Sequence, residues 1–189
     1  MFVAIRVWLV LLLLALPVAG SWAGDYEDTI KVFTNAGESG AFFDKSYGYA
    51  IFPTIGKGGM GIGAAHGKGK VYEKGKHVGD TSMTQVTIGL QLGGQAFSQI
   101  IFFEDKRAFT EFTSGNFEFG AQATAVAITA GASATASTSG NSAGASGSQN
   151  NANTVGKYQK GLAVFTVAKG GLMYEASIGG QKYGYEPKN

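Results

Sequence analysis

The sequence contains no cysteine. That excludes disulfides, thiolate metal centres, a cysteine nucleophile and a lipid-modified cysteine. It also has little excess charge. Lys and Arg number 15 against 13 Asp and Glu, a net charge of +2, which argues against a general nucleic-acid binder. Histidine occurs only at His66 and His77. Glycine is abundant, 30 of 189 residues, but has no three-residue period, so collagen is excluded. Aromatic residues make up 12% of the chain, too many for a disordered glycine-rich tail. The length fits one domain with an extension and is enough to bury a real core.

Residues 1–23 read as a secretory leader. Arg6 supplies the positive start, residues 7–16 (VWLVLLLLAL) are unbroken and apolar, and Pro17 ends the run. Small residues at Ser21 and Ala23 set up cleavage before Gly24. A membrane anchor is the alternative, although glycine, proline and serine interrupt the second half of the uncharged stretch. The expectation is an exported protein, periplasmic or secreted after cleavage near Ala23, with residues 24–189 as one domain.

Residues 25–36 (DYEDTIKVFTNA) predict a helix. Acids crowd its start, Tyr26, Ile30 and Phe33 form an apolar stripe, and Gly37 is a natural stop. Residues 47–54 (YGYAIFPT) read as a strand that stops at Pro53. Seven glycines then fall within residues 56–69, alternating with Met60, Ile62 and Ala64. Such a strand implies bending, bulging or close backbone approach. Residues 68–78 predict a hairpin turning at Glu73-Lys74-Gly75-Lys76. Residues 83–92 alternate, with Val86, Ile88, Leu90 and Leu92 on one face and Gln85, Thr87, Gly89 and Gln91 on the other. After a turn or bulge at Gly93-Gly94, residues 96–103 form another strand and residues 104–114 a short helix. Residues 116–129 carry the clearest strand alternation, rich in alanine. Residues 137–155 are low-complexity, small and polar, and read as a flexible loop. Residues 160–168 and 171–178 read as the final strands, before Tyr183 and Tyr185. The expected fold class is α+β, mostly antiparallel β: a curved sheet, sandwich or barrel with an N-terminal helix and one inserted helix.

No enzyme signature is present. The glycine cluster lacks GxxxxGK[ST] and GxGxxG spacing, and there is no GxSxG elbow. Glu104 and Asp105 are adjacent, which suits helix capping better than paired acid–base work. Pairing across the hairpin would bring His66 and His77 near one another, but two histidines without a third clustered ligand make no metal case. No cofactor is expected. The one concentration of charge is Lys68, Lys70, Lys74 and Lys76 against Glu73, with His77 beside them and Lys57 upstream. Two readings stand. The lysines hold lipid phosphates, or they keep an edge hairpin soluble and protect it from strand addition.

Tyr49-Ala50-Ile51-Phe52-Pro53 followed by Gly56-Lys57-Gly58-Gly59-Met60-Gly61-Ile62-Gly63 resembles the opening of the SYLF domain. Phe109-Thr110-Glu111-Phe112 and Phe119-Gly120 continue the likeness. Residues 164–173 (VFTVAKGGLM) with Ser177-Ile178-Gly179-Gly180 are similar to the family's closing stretch. The resemblance covers about residues 45–182. It implies a lipid-binding domain. Relatives in yeast and animals bind phosphoinositides, and in yeast actin filaments, with a basic amphipathic N-terminal helix as membrane contact. This chain departs from that pattern, because residues 25–36 hold three acids and only Lys31. The ligand expected of an exported member is an anionic bacterial phospholipid at a membrane surface, contacted by Lys57, Lys68, Lys70, Lys74, Lys76 and His77. A protein partner in the envelope or on a filament is the alternative. A membrane β-barrel fits less well, because the helix at residues 104–114 interrupts the strands and the end Glu186-Pro187-Lys188-Asn189 lacks a terminal aromatic strand.

Overall fold

The computed structural model describes residues 22–128, 157–169 and 178–189, with backbone only at residues 22–24, 37, 60–61 and 87–93. Residues 1–21 of the expected leader, the loop at 137–155 and nearly all of the strand at 171–178 lie outside the described residues. No helix among the described residues is long and apolar enough to cross a membrane.

Helix α1 (Trp22–Asn35) carries the anticipated stripe inward, with Tyr26 and Phe33 buried and Ile30 packed beside them. Gly37 does not end the helical region. A single extended residue, Ala36, breaks the axis, and α2 (Gly37–Phe43) starts at once. The buried Ser39 hydroxyl donates to Phe33 O at 2.6 Å and ties the two helices together.

Two long strands follow, β1 (Gly48–Glu73) and β2 (Lys76–Phe103), antiparallel along their whole length. Their turn is at Lys74-Gly75, where both residues have positive φ, 47° and 80°. A two-residue type I′ turn requires that combination. Pro53 does not stop β1. A register shift between Phe52 and Ile55 accommodates its missing N–H, and Ser98 Oγ donates to its carbonyl at 2.7 Å. Gly93-Gly94 does not turn the chain out of β2; both pair with β1, and an irregularity falls just beside them, where the register jumps from Met60↔Leu92 to Ile62↔Ile88.

The glycine cluster folds this ribbon over on itself. A Cβ at Gly59 would lie 2.6 Å from Gly63 Cα, so β1 bends sharply there. Its two halves then run side by side. Gly48 faces Tyr72 O, Gly69 lies where a Cβ would be 2.6 Å from Ile51 O, and Gly67 where it would be 3.0 Å from Thr54 O. Lys74 N donates to Tyr47 O at 3.2 Å, and the Tyr49 and Tyr72 rings stack at 4.9 Å.

The outer edge of β2 takes β6 (Lys182–Pro187) along residues 79–84 and β5 (Leu162–Lys169) along residues 96–103. Two short strands finish the sheet. β3 (Phe117–Glu118) pairs with β6, and β4 (Val126–Ile128) pairs parallel to β5. The result is a strongly curled half-barrel, mostly antiparallel, with three helices among the described residues. The curved-sheet expectation holds. The long strand expected at residues 116–129 does not, because its middle turns at Ala121-Gln122, with Ala123 N donating to Gly120 O at 3.0 Å.

Both faces of the sheet are covered at one end, which explains the unbroken run Ile100-Ile101-Phe102-Phe103. Ile101 and Phe103 join the inner core with Phe52, Met83, Phe112 and Tyr183. Ile100 and Phe102 face α1 and α2 with Phe33, Phe42 and Phe165. α3 (Lys106–Phe112) closes the inner core through Ala108 and Phe112, capped as expected by Asp105, whose carboxylate accepts from Ala108 N at 2.8 Å.

The inner core also holds a polar chain. Gln85, Gln99 and Gln181 are buried there. Gln99 Nε2 donates to Tyr183 OH at 2.8 Å, and Tyr183 OH donates to Gln181 Oε1 at 2.6 Å. Gln85 Nε2 reaches Gly179 O at 2.9 Å. The expected alternation is present over residues 83–86, where Met83 and Gln85 face in and Thr84 and Val86 face out; the side chains of residues 87–92 lie outside the described residues.

Burial raises the phenols of Tyr49 and Tyr158 to about 12 and that of Tyr183 well above its ordinary value. Unfolding returns them to about 10. The protonated form is the one the fold retains, so this stabilisation is complete below about pH 10 and is lost as pH rises through the folded values. We expect tyrosinate absorbance and loss of near-UV circular dichroism to appear together between about pH 10 and 12. Full tyrosinate formation with the fold intact would contradict this.

Candidate functional site

The long hairpin positions the lysines. From Ala65 to Val71 the odd residues of β1 point inward and are buried, while His66, Lys68 and Lys70 point outward. This is the face that carries α1. Lys70 Nζ sits 4.4 Å from the centre of the Tyr26 ring, and Lys70 lies opposite Asp80 in the ladder. Lys68 is exposed beside a small recess of about 300 Å³ lined also by Asp25, Tyr26, Thr54 and His66. At the turn, Lys74 Nζ lies 5.4 Å from the Tyr47 ring centre, and Lys76 pairs across the ladder with Glu73, which accepts a hydrogen bond from Tyr47 OH.

Not all of the expected residues come together. Lys57 sits opposite Gln95 in the glycine-rich middle of the ribbon, and strand alternation from the buried Ile55 puts it on the inner face, away from Lys68 and Lys70. His77 is turned back on its own strand, with Nε2 3.1 Å from both Gly79 O and Asp80 Oδ1. His66 lies opposite Thr84 and His77 opposite Tyr72, so the hairpin separates the two histidines instead of pairing them. Among the described residues no group of three His, Cys, Asp or Glu side chains could hold a metal.

Acids temper the patch. The phenol of Tyr26 is raised first by burial and then by Asp80 and Asp25, and that of Tyr72 by burial, Glu27 and Asp80, so these carboxylates share the face with Lys68 and Lys70. The tip of β1 lies against the first half of the same strand, and β2 is paired with β6 along residues 79–84, so the β2 side of the hairpin is not an open sheet edge there.

Two features escaped the sequence reading. Ile62 and Val86, 67% and 71% exposed, stand on this outer face. Ala64 pairs with Val86 and Ile62 precedes it by two residues, so the two side chains are diagonal neighbours. Alternation alone separates Val86 from Gln85 without saying which of the two faces is buried. The second feature is a groove of about 580 Å³ at the seam of the half-barrel, between β3 on one side and β4 and β5 on the other, with Arg107, Lys157 and Lys160 at its rim. Its residues come from four separate stretches of chain, and no single motif marks it.

Comparison with known proteins bears on the same region. A family profile described as "Las17-binding protein actin regulator", the Ysc84 family, matches residues 84–185. "Beta cell expansion factor A" of Aeromonas veronii is 32% identical over 102 residues, covering 52% of this chain and 38% of that protein. The chain thus aligns with well under half of that relative's length. The profile match takes in most of β2, α3, both sides of the seam, β5 and part of β6, more than half of the sequence. The chain belongs to the Ysc84 family, the SYLF domains that its motifs resemble, and is a binding module.

Proposed function

We propose that this protein binds anionic phospholipid headgroups at a membrane surface of the cell envelope, without catalysing a reaction. The observation that carries the reading is the outer face of the folded ribbon. It presents the aliphatic pair Ile62 and Val86 and, further along the same face, the exposed Lys68. A membrane interface takes up aliphatic side chains, and its phosphates attract lysines, each worth about 1 kcal/mol near an anionic surface. Lys70, Lys74 and Lys76 add to the local field. The leader-like residues 1–23 support export, with 24–189 as the binding domain.

Co-sedimentation with vesicles tests this. The protein is expected to pellet with phosphatidylglycerol-containing vesicles, less so as salt rises, and weakly with phosphatidylcholine alone. Lys68→Gln with Lys76→Gln, which spares the two lysines packed on tyrosine rings, is expected to weaken binding about tenfold or more. Ile62→Ser with Val86→Ser is expected to reduce it again. Undiminished binding by both double variants removes the outer face as the site.

The family description favours a second reading, a protein partner. It predicts co-sedimentation with actin filaments and no vesicle binding.

A further inference from the structure

The seam groove has a composition unlike the hairpin face. Its walls are mainly apolar, with Phe117 and Phe119 from the β3 side, Val126 from β4, Leu162 and Val164 from β5, and Ile178, while Gln122, Thr124 and Gln159 also line it. Its volume of about 580 Å³ lies within the range of small-molecule sites, roughly 300–1,000 Å³. The charges at its mouth are unequal. Glu111 is engaged by Arg107 at 3.3 Å and Glu118 by Lys182 at 3.5 Å. Lys157 and Lys160 also line the mouth and make no ion pair with a described residue. Two acids are neutralised and two cations are not, so the rim complements an anion while the floor complements hydrocarbon.

The rim is also fixed in place. Lys160 and Gly161 both have positive φ, 52° and 81°, in the tight turn that leads into β5. The guanidinium of Arg107 lies against this turn, close enough that a Cβ on Gly161 would be 2.7 Å from Nη2, and Nη2 approaches Lys160 O at 3.4 Å. Helix α3 and the β5 turn are therefore clipped together at the mouth, with Lys160 held at the clip.

We propose that the seam groove binds a single-chain anionic amphiphile. The acyl chain lies between Phe117, Phe119, Val126 and Val164, and the carboxylate or phosphate head meets Lys157 and Lys160. A free fatty acid and a lysophospholipid share this chemistry. The site is separate from the hairpin face and does not depend on it.

Isothermal titration of the full chain with palmitate, and in a second arm with lysophosphatidylglycerol, both below their micellar concentrations, tests the proposal. One molecule per chain is expected to bind in at least one arm, and the stronger arm identifies the head. Lys157→Glu with Lys160→Glu, both at exposed positions, is expected to weaken that binding about tenfold or more. Ala123→Trp, which fills the groove from a half-buried position, is expected to abolish it while the thermal transition persists. If that variant fails to fold, the charge reversal alone decides. Hexadecanol, the uncharged analogue, is expected to bind more weakly than palmitate and to ignore the charge reversal. Absence of binding in both arms overturns the proposal, including the case where residues 129–156 of the chain itself fill the groove. Binding that survives the charge reversal overturns it too. The Lys68→Gln, Lys76→Gln variant is expected to bind the amphiphile as the parent does, so failure of the membrane reading and failure of this one are distinguishable.

Discussion

Replacing Phe102 with alanine is expected to cost about 3–5 kcal/mol of stability, the range for deleting a fully buried aromatic ring. Phe102 has no exposed surface. Its ring lies 5.5 Å from Phe42, 4.9 Å from Phe43, 6.0 Å from Tyr49 and 6.0 Å from Phe165. It is therefore the point at which α2, the first half of β1 and β5 meet on the outer face. The four neighbours belong to three elements that cannot all close on the vacated space, so most of the cavity remains. Urea unfolding checks this. The midpoint is expected to fall sharply with the slope kept, and a loss below about 1.5 kcal/mol would mean that the helices pack on the sheet without this ring.

A valine at position 69 is expected to cost about 1–3 kcal/mol or more, for the opposite reason. Gly69 sits where the two halves of β1 touch. A Cβ there would lie 2.6 Å from Ile51 O and 2.7 Å from the Phe52 ring. The carbonyl belongs to backbone and cannot rotate away, so the folded ribbon must part. Gly56 supplies the control within the same cluster. It has no positive φ, and a Cβ would meet nothing within 4 Å. Gly56→Ala is expected to be neutral or to stabilise by up to about 1 kcal/mol through a less flexible unfolded chain. Thermal melts of the two variants check the pair. Equal melting temperatures would mean that β1 does not double back.

Local chemistry was readable wherever a short stretch decides the outcome. The Tyr26, Ile30 and Phe33 stripe, the Lys74-Gly75 turn and the Asp105 cap all obey rules that act within a few residues. What was not readable depends on partners far away. Pro53 looks like a strand end until the bulge beside it is seen. Residues 116–129 alternate well, yet alanine gives little packing reward to a strand, and the segment has to cross from the β6 edge to the β5 edge. Alternation separated Val86 from Gln85 but left open which of them faces the core. The interior there was already committed to the Gln85, Gln99, Gln181 and Tyr183 chain, half of which lies about a hundred residues further on. For the site, the lysine cluster was visible as composition, but not that the ribbon places Lys57 on the other face or that Asp80 and Asp25 temper the remainder. Membership of the SYLF domains was legible from block order. The seam groove was not.

The folded ribbon also governs the order in which loops can close. The Lys74-Gly75 turn joins adjacent residues. Bringing Tyr47 to Glu73 closes a separation of 26 residues, and seating Thr81 on Gly184 closes one of 103. Closure entropy rises only slowly with loop length, but distant contacts reward the chain late. The walls of the seam are drawn from β3, β4, β5 and Ile178, so the groove exists only after the longest loops have closed. Whatever occupies it recognises the finished half-barrel and no earlier species, so it stabilises the whole domain by an amount that grows with its free concentration relative to its Kd.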